Sequence, residues 1–545
     1  MSISFYTVIV VIVYLAIIGF LGFLGYRNTK NASDYLLAGR KTHPLVMALS
    51  YGSTFISTAA IVGFGGAAAS MGMGLLWLTF LNIFVGIFIA FIFFGKRTRR
   101  MGHTLDAHTF PELLGRRFNS KFLQGFAGAL IFICMPIYAA SVIKGGANFV
   151  EQYFGINYKV SLILFVAIVA IYVFMGGMKG VMYTDAFQGG IMFISMIVLL
   201  IVAYTALGGI GQAHQKLTNM FSDPGVQKTL ANSIKGGFQG WTSMPKGGSP
   251  MWWNLVSTIV AGVGIGVLAQ PQLAVRFMTV KSDKELNRAT LSGGIFILAM
   301  TGVAFTVGAL SNALFFEKTG QIAITAAGGV SDKIIPTFIS TYLPGWFGAI
   351  FLIAMLAAAM STLSGLFHTM GTAAGRDVYE KSFDKKGNTM FITRGGILVV
   401  IIISTAWAWF TTGLPQYETI IAKFTTVFFE LASAAFLPVF VGALFIKKMP
   451  KAAAKWSMIS GAIAWFVMDF FINTNAASMQ LCKALTGKDS LLIGTPIESW
   501  KNIGTSLVAL PISILVAVII TVVYNSMKKQ DLDSAHIEKC FEGIK

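Results

Sequence analysis

Apolar runs long enough for a helix to cross a bilayer recur along the whole chain. They lie at about 4–26, 44–69, 73–95, 122–147, 158–176, 184–207, 252–270, 289–314, 345–370, 395–413, 421–446, 456–478 and 503–525. The runs are continuous, unlike the short alternating segments of an outer-membrane barrel. The pattern predicts an all-α polytopic membrane protein of about thirteen transmembrane helices. The first run follows a start without basic residues and meets no small-residue cleavage site before Arg27, so it is expected to remain as a span rather than act as a signal peptide.

Composition sharpens this reading. Of 545 residues, 55% are hydrophobic and 12% charged, whereas a soluble domain carries about twice that charge. Disordered, collagen-like, ordinary soluble-enzyme and disulfide-stapled classes are excluded. Cys134, Cys482 and Cys540 suit neither paired bridges nor a metal.

The net charge of +19 could indicate a nucleic-acid partner, but its placement indicates topology. With the N-terminus outside, the segments 27–43, 96–121, 177–183, 271–288, 371–394, 447–455 and the tail would face the cytoplasm. They hold 29 of the 41 Lys and Arg residues. The positive-inside rule therefore predicts a multi-pass protein of the cytoplasmic membrane, N-terminus out and C-terminus in. No nucleic-acid partner is expected, and no obligatory protein partner is evident. The chain reads as one transporter domain over 1–530, with a leader helix at 4–26, a core at 44–446 and two accessory helices at 456–525. A short cytoplasmic tail, 531–545, follows.

Two runs are interrupted. The second places Gly52 and the hydroxyls of Ser50, Ser53, Thr54, Ser57 and Thr58 at mid-depth. The seventh carries Gly262, Gly264 and Gly266 before Gln270-Pro271-Gln272. Small residues can merely let helices pack closely. With the first run set aside, however, these two become first and sixth of ten. Matched discontinuous helices in two inverted repeats hold substrate and ion near the midplane. The ninth run adds the adjacent hydroxyls Ser361 and Thr362. With carbonyls of an unwound helix they could hold sodium without a carboxylate, although such side chains also bond back to their own helix.

Charged residues inside a membrane are functional candidates. Asp185 opens the sixth run near its cytoplasmic end, where it could be hydrated. Lys144 lies near the outer end of the fourth. Glu430 shares a helix face with Lys423, which allows a structural pairing through an intermediary, and Asp469 falls outside the ten-helix core. His368 and the other scattered histidines provide no catalytic constellation, so the chain is not expected to be an enzyme.

Four motifs together resemble the sodium/solute symporter family, closest to its sodium/proline branch. They are Ser33–Lys41, Gly176–Gln188, Gln270–Met278 and Leu356–Ser364 followed by Asp377 and Tyr379. The resemblance implies a LeuT-type inverted-repeat core of ten helices working by alternating access. It implies a sodium site of the carbonyls of Ser53, Ile56 and Ala358 with the hydroxyls of Ser361 and Thr362, and a coupling role or second ion site for Asp185. Sodium would be the coupling ion, with no cofactor.

The implied solute pocket is Phe55, Ala59, Tyr138, Val263, Val267 and Gln270. Here the sequence departs from the proline branch. Phe55 stands where that branch has an aspartate, and Ala59, Val263 and Val267 replace aromatic residues. The sugar branch's polar partners are replaced by Ala59, Ala60 and Leu81. A small carboxylate could use the positive end of a half-helix, with Lys144 as a candidate contact. The expectation is sodium-coupled symport of a monocarboxylate or amino acid. The alternatives are proline symport proper, proton coupling on the same fold, or a transporter-like solute sensor.

Overall fold

A computed structural model describes residues 5–382, 389–412, 421–474, 480–527, 531 and 533–544. Position 4 of the expected leader, 413 at the end of the tenth run and 475–478 at the end of the twelfth lie outside the described residues. So do 383–388 in a basic segment, 528–530 before the expected tail, and 532 and 545 within it.

Among the described residues, eleven helices are long and apolar enough to cross a membrane. The bent pair Pro44–Phe55 and Ala59–Met71 makes a twelfth. The thirteenth expected span is the shorter apolar helix Tyr158–Ile171. Its continuation turns into the sixth span, Gly177–Ala206, at Gly177, whose φ of 56° and ψ of −175° suit glycine. A Cβ there would also meet the Tyr35 ring at 2.7 Å.

The sixth span thus begins two turns before the first expected position, and this corrects the placement of Asp185. The residue is not a hydrated end group but fully buried. The ninth span, Gly345–Glu380, forms the centre of the bundle. It packs on both the fourth span, Lys121–Phe154, and the sixth. Nearly all of its side chains are buried from Phe347 to Thr372, as expected for a helix surrounded by protein rather than lipid. The leader helix Phe5–Arg27 packs outside, against the sixth span. Gly25 lies so close to Gly180 that a Cβ on Gly25 would collide with backbone. The twelfth and thirteenth spans, Lys451–Ile472 and Ser506–Ser526, pack on one another.

All seven basic segments meet at one end of the bundle. Arg40 bonds the Gly102 and Ala107 carbonyls and Asp106. Arg99 and Arg100 both pair with Asp283, Lys179 with Asp34 and Arg376 with Glu112. Arg117 donates to the Ile446 and Lys447 carbonyls. The tail, expected to be a charged appendage, is docked here. Asp531 accepts from the Lys451 and Ala452 amides, and His536 contacts the Arg116 carbonyl. At the opposite end, the long polar loop folds into short helices and closes over the broken second span. Its buried Trp241 donates to the Ala69 carbonyl at 2.7 Å.

Candidate functional site

The second span breaks where its backbone leaves the helix at Ile56–Ser57, with a 53° bend between its halves. Ile56 adopts φ −90° and ψ 96°, so its carbonyl turns out of the helical ladder. The last carbonyls of Pro44–Phe55 lack successors in the helix, and the negative end of its dipole points into the protein. The ninth span supplies the other wall. Ser361 Oγ lies 3.0 Å from the Ser53 carbonyl oxygen and 3.3 Å from that of Ala358. Thr362 Oγ1 lies 3.4 Å from the Ser53 carbonyl and 3.0 Å from that of Thr54. Four of the five expected ion ligands are therefore in mutual contact, and Ile56 caps the same helix end. All are buried, and their neutral, hard oxygens suit a singly charged cation.

Beside this set lies Asp185. Its Oδ2 accepts from Ser50 at 2.9 Å, Thr54 at 3.2 Å and Arg276 Nη2 at 2.9 Å. Its Oδ1 accepts from Ser364 at 3.1 Å. The ion pair is almost wholly shielded, with side-chain exposures of 1% for Arg276 and 0% for Asp185. Removing one member of such a pair leaves a buried charge and costs about 3–5 kcal/mol. Sequence reasoning singled out Asp185 and gave Arg276 no role, although it stands six residues after Gln270 in a motif already noted. Two bonds join this cluster to the carbonyl–hydroxyl set, from Thr54 and Ser364 to the Ser361 carbonyl at 3.3 and 2.9 Å.

The seventh span, Pro250–Ala269, breaks at Gln270, which is extended at φ −68° and ψ 116° before Pro271–Phe277 resumes. Of the expected pocket residues, Phe55, Tyr138 and Val267 come together beside the two breaks. Phe55 and Tyr138 both pack on Phe429, with ring centroids 6.4 and 5.6 Å apart. A Cβ on Gly86 would touch Val267 at 3.2 Å and Phe55 at 3.6 Å. Ala59 and Val263 are buried as well. Gln270 accepts from Gln272 at 3.0 Å, leaving its own buried Nε2 donor unpartnered. Phe429 was missed because it lies in an apolar run where nothing distinguishes one Phe from another.

Lys144 lines a cavity of about 100 Å³ with Asn148, Glu151, Tyr158, Val330, Lys333 and Thr412. Glu430 does not pair towards Lys423, whose charged neighbour is Asp332. The acidic neighbour of Glu430 is Asp469 on the twelfth span.

At the basic end, Glu112 clamps Arg376 of the ninth span through both carboxylate oxygens, at 3.0 and 3.1 Å, and also pairs with Arg116 at 2.6 Å. Burial opposes its charge. The hydrogen bonds from His108 and Arg376, with the charges of Arg376 and Arg116, outweigh that effect and hold the carboxyl well below the usual carboxylate range. Next to it, Asp377 accepts from Thr109 at 2.7 Å and Gln124 at 2.8 Å. This network ties the end of the ninth span to Phe110–Arg117 and the start of the fourth.

The sequence model of the Sodium:solute symporter family matches residues 35–461. A sodium/proline symporter of Staphylococcus aureus is 29% identical over 458 residues, covering 81% of each chain. That of strain JH9 is 30% identical with the same coverage. A substrate-bound, outward-open sodium-coupled sialic acid symporter matches with a TM-score of 0.72 at 18% identity, covering 95% of this chain and 98% of that one. The nucleobase-cation-symport-1 family transporter Mhp1, in a closed conformation, matches with a TM-score of 0.52 at 12% identity, covering 94% and 99%. These two likenesses are of fold, the LeuT type.

Proposed function

The chain belongs to the sodium:solute symporter family and is a sodium-coupled symporter of the LeuT fold. From that premise we propose that its sodium is held by the carbonyls of Ser53, Ile56 and Ala358 and the hydroxyls of Ser361 and Thr362, and that its solute is a small carboxylate, either a monocarboxylate or an amino acid. The observation that carries the ion site is the contact of Ser361 and Thr362 with the Ser53 and Thr54 carbonyls at a helix end. Sodium bound there would tie the second span to the ninth. An ion that favours one arrangement of these spans shifts the alternating-access equilibrium, whereas equal affinity for both would shift nothing.

The same break supports the solute class. Where the first half-helix presents its negative end, Ala59–Met71 begins with its positive end. One break can thus draw a cation to one side and a carboxylate to the other. Tyr138, Phe55 and Phe429 would enclose an apolar body, and Gln270 Nε2 offers a further donor. The similarity to proline symporters makes proline a member of the panel to test. Against it, Ala59, Val263 and Val267 provide no flat aromatic surface for the ring. Lys144, which lines a cavity with Asn148 and Glu151, is the candidate cationic contact for the carboxylate. We place the basic end in the cytoplasm and both the polar loop and the N-terminus outside, in a single transporter domain of leader, core and accessory helices. The cycle needs no cofactor beyond the ion.

The test is uptake into proteoliposomes from a panel of labelled monocarboxylates and amino acids, proline included, with an inward sodium gradient or with potassium in its place. Sodium-driven accumulation of one carboxylate, lost when Ser361 and Thr362 are both changed to alanine, is the expected result. Accumulation driven equally well by a proton gradient without sodium would overturn the ion assignment.

A further inference from the structure

At the basic end of the third span, Met73–Thr104, a cavity of about 550 Å³ is lined by Ile92, Phe93, Lys96, Arg97, Arg100 and Ile544. Among the described residues of its wall, three are cationic and none is acidic. The Arg97 guanidinium is held against the Leu444 carbonyl at 3.1 Å and over the Phe445 ring, 4.6 Å from its centroid. Arg99 and Arg100 share Asp283, and Arg100 also donates to the Gly543 carbonyl of the docked tail. The third span, the end of the eleventh, Ile421–Phe445, the start of the eighth, Asp283–Thr319, and the tail thus fix these cations in place. On the membrane side the wall is apolar. Phe93 there ends a row of exposed rings along the third span, Trp77, Phe80, Phe84, Phe88 and Phe93, with successive centroids 5.9, 6.0, 6.0 and 6.4 Å apart.

We propose that this cavity binds the phosphate of an anionic phospholipid, whose acyl chains lie along the aromatic row. Basic pockets between spans at a membrane surface attract anionic headgroups. Elsewhere at this end the arginines are taken up by the protein's own acids, Arg40 by Asp106 and Arg376 by Glu112. Here the wall presents cations to a ligand. Arginine offers paired N–H donors to phosphate oxygens, and lysine adds a compact charge. A zwitterionic headgroup would bring its own cation against the same three and forfeit part of that attraction. A free phosphate would have to be drawn from water. A phospholipid already stands with its phosphate at the membrane surface, the level at which the apolar part of this span gives way to Lys96. The bound headgroup would tie the third, eighth and eleventh spans and the tail together. The proposal needs only that the basic end lies at a membrane surface, and it is independent of the ion and solute assigned above.

The test is lipid retention by the purified full chain, measured by native mass spectrometry in a neutral detergent, together with the melting temperature. The probes are phosphatidylglycerol, phosphatidylcholine with the same acyl chains, and inorganic phosphate. The wild type is expected to retain phosphatidylglycerol more tightly than phosphatidylcholine and to melt at a higher temperature with it. Inorganic phosphate is expected to give no such rise. Lys96→Gln and Arg97→Gln should each weaken retention of phosphatidylglycerol about fivefold, the effect of losing one cation near a headgroup. The double variant should hold the two lipids alike. Lys41→Gln removes an exposed cation of the same end but not of this cavity, and should retain phosphatidylglycerol as the wild type does. Arg97 also holds the Leu444 carbonyl, so if its variant fails to fold, Lys96→Gln decides alone. Equal retention of both lipids by the wild type, or an unchanged preference in folded Lys96→Gln, would overturn the proposal. So would an equal rise in melting temperature with inorganic phosphate, which would make the cavity a site for a free anion.

Discussion

At the scale of single residues, function rests on groups that are weak as ligands alone and strong in position. Ser361 and Thr362 are ordinary membrane hydroxyls until the second span breaks beside them and turns its last carbonyls towards them. A hydrogen bond or ligand contact to a charged group contributes about 1.5–3 kcal/mol, so losing either hydroxyl should weaken sodium binding by about tenfold or more. Ser361→Ala and Thr362→Ala are each expected to raise the half-saturating sodium concentration by at least that factor, with the maximal uptake rate much less affected. The check is a sodium titration at saturating solute. An unchanged half-saturation in both variants would show that the ion binds elsewhere. These two residues were legible in the sequence because adjacent hydroxyls in an apolar helix are conspicuous. Arg276 and Phe429 were not, since their roles depend on partners far away in the chain, Asp185 for one and Phe55 and Tyr138 for the other.

At the scale of elements, the apolar runs fixed the helices well because lipid demands length and continuity. Helix ends were harder. The sixth span begins earlier than its apolar run because Gly177 carries the bend, and the ninth runs on to Glu380 through polar residues that neighbours bury. The breaks were visible as clusters of glycine and hydroxyl residues. The actual turn in the second span falls just after its cluster, at Ile56 and Ser57. Packing between elements makes its own prediction at Gly308, where the eighth span, Asp283–Thr319, touches the second. A Cβ there would collide with the Gly65 carbonyl. Gly308→Ala is expected to lower the melting temperature and transport together, since overpacking costs about 1–3 kcal/mol. A variant with wild-type melting would show that the two helices do not meet so closely.

The Glu112–Arg376 clamp predicts a pH dependence. Glu112 has its carboxyl value lowered by the fold. Its stabilisation is therefore complete above the unfolded carboxylate value, about 4.3, and is lost only as pH falls through the still lower native value. Glu112→Gln, which strands Arg376, should cost about 3 kcal/mol. The melting gap between wild type and Glu112→Gln should stay constant from about pH 8 to 5 and narrow only in stronger acid. A gap that closed near neutrality would contradict the clamp.

At the scale of the whole molecule, gathering all seven basic segments at one end gives the orientation a physical footing, and impermeant thiol labelling can check it. The native cysteines are buried, so new ones at the exposed positions Lys228 and Lys284 should report alone. In intact cells Lys228→Cys is expected to react and Lys284→Cys to react only after lysis. The reverse would invert the molecule. Stoichiometry and solute charge then fix the energetics together. One sodium entering down a potential of 100 mV, inside negative, contributes about 2.3 kcal/mol, and a tenfold sodium gradient adds about 1.4 kcal/mol. For a zwitterionic amino acid both terms act, allowing roughly 500-fold accumulation. For a monocarboxylate the anion cancels the moving charge, so the membrane potential drops out and about tenfold remains. With a single coupling ion, then, transport of an amino acid should carry an inward current and rise steeply with voltage, while that of a monocarboxylate should carry none. A voltage-clamped recording with each solute separates the two classes. Current carried by a monocarboxylate would mean that a second cation travels with it.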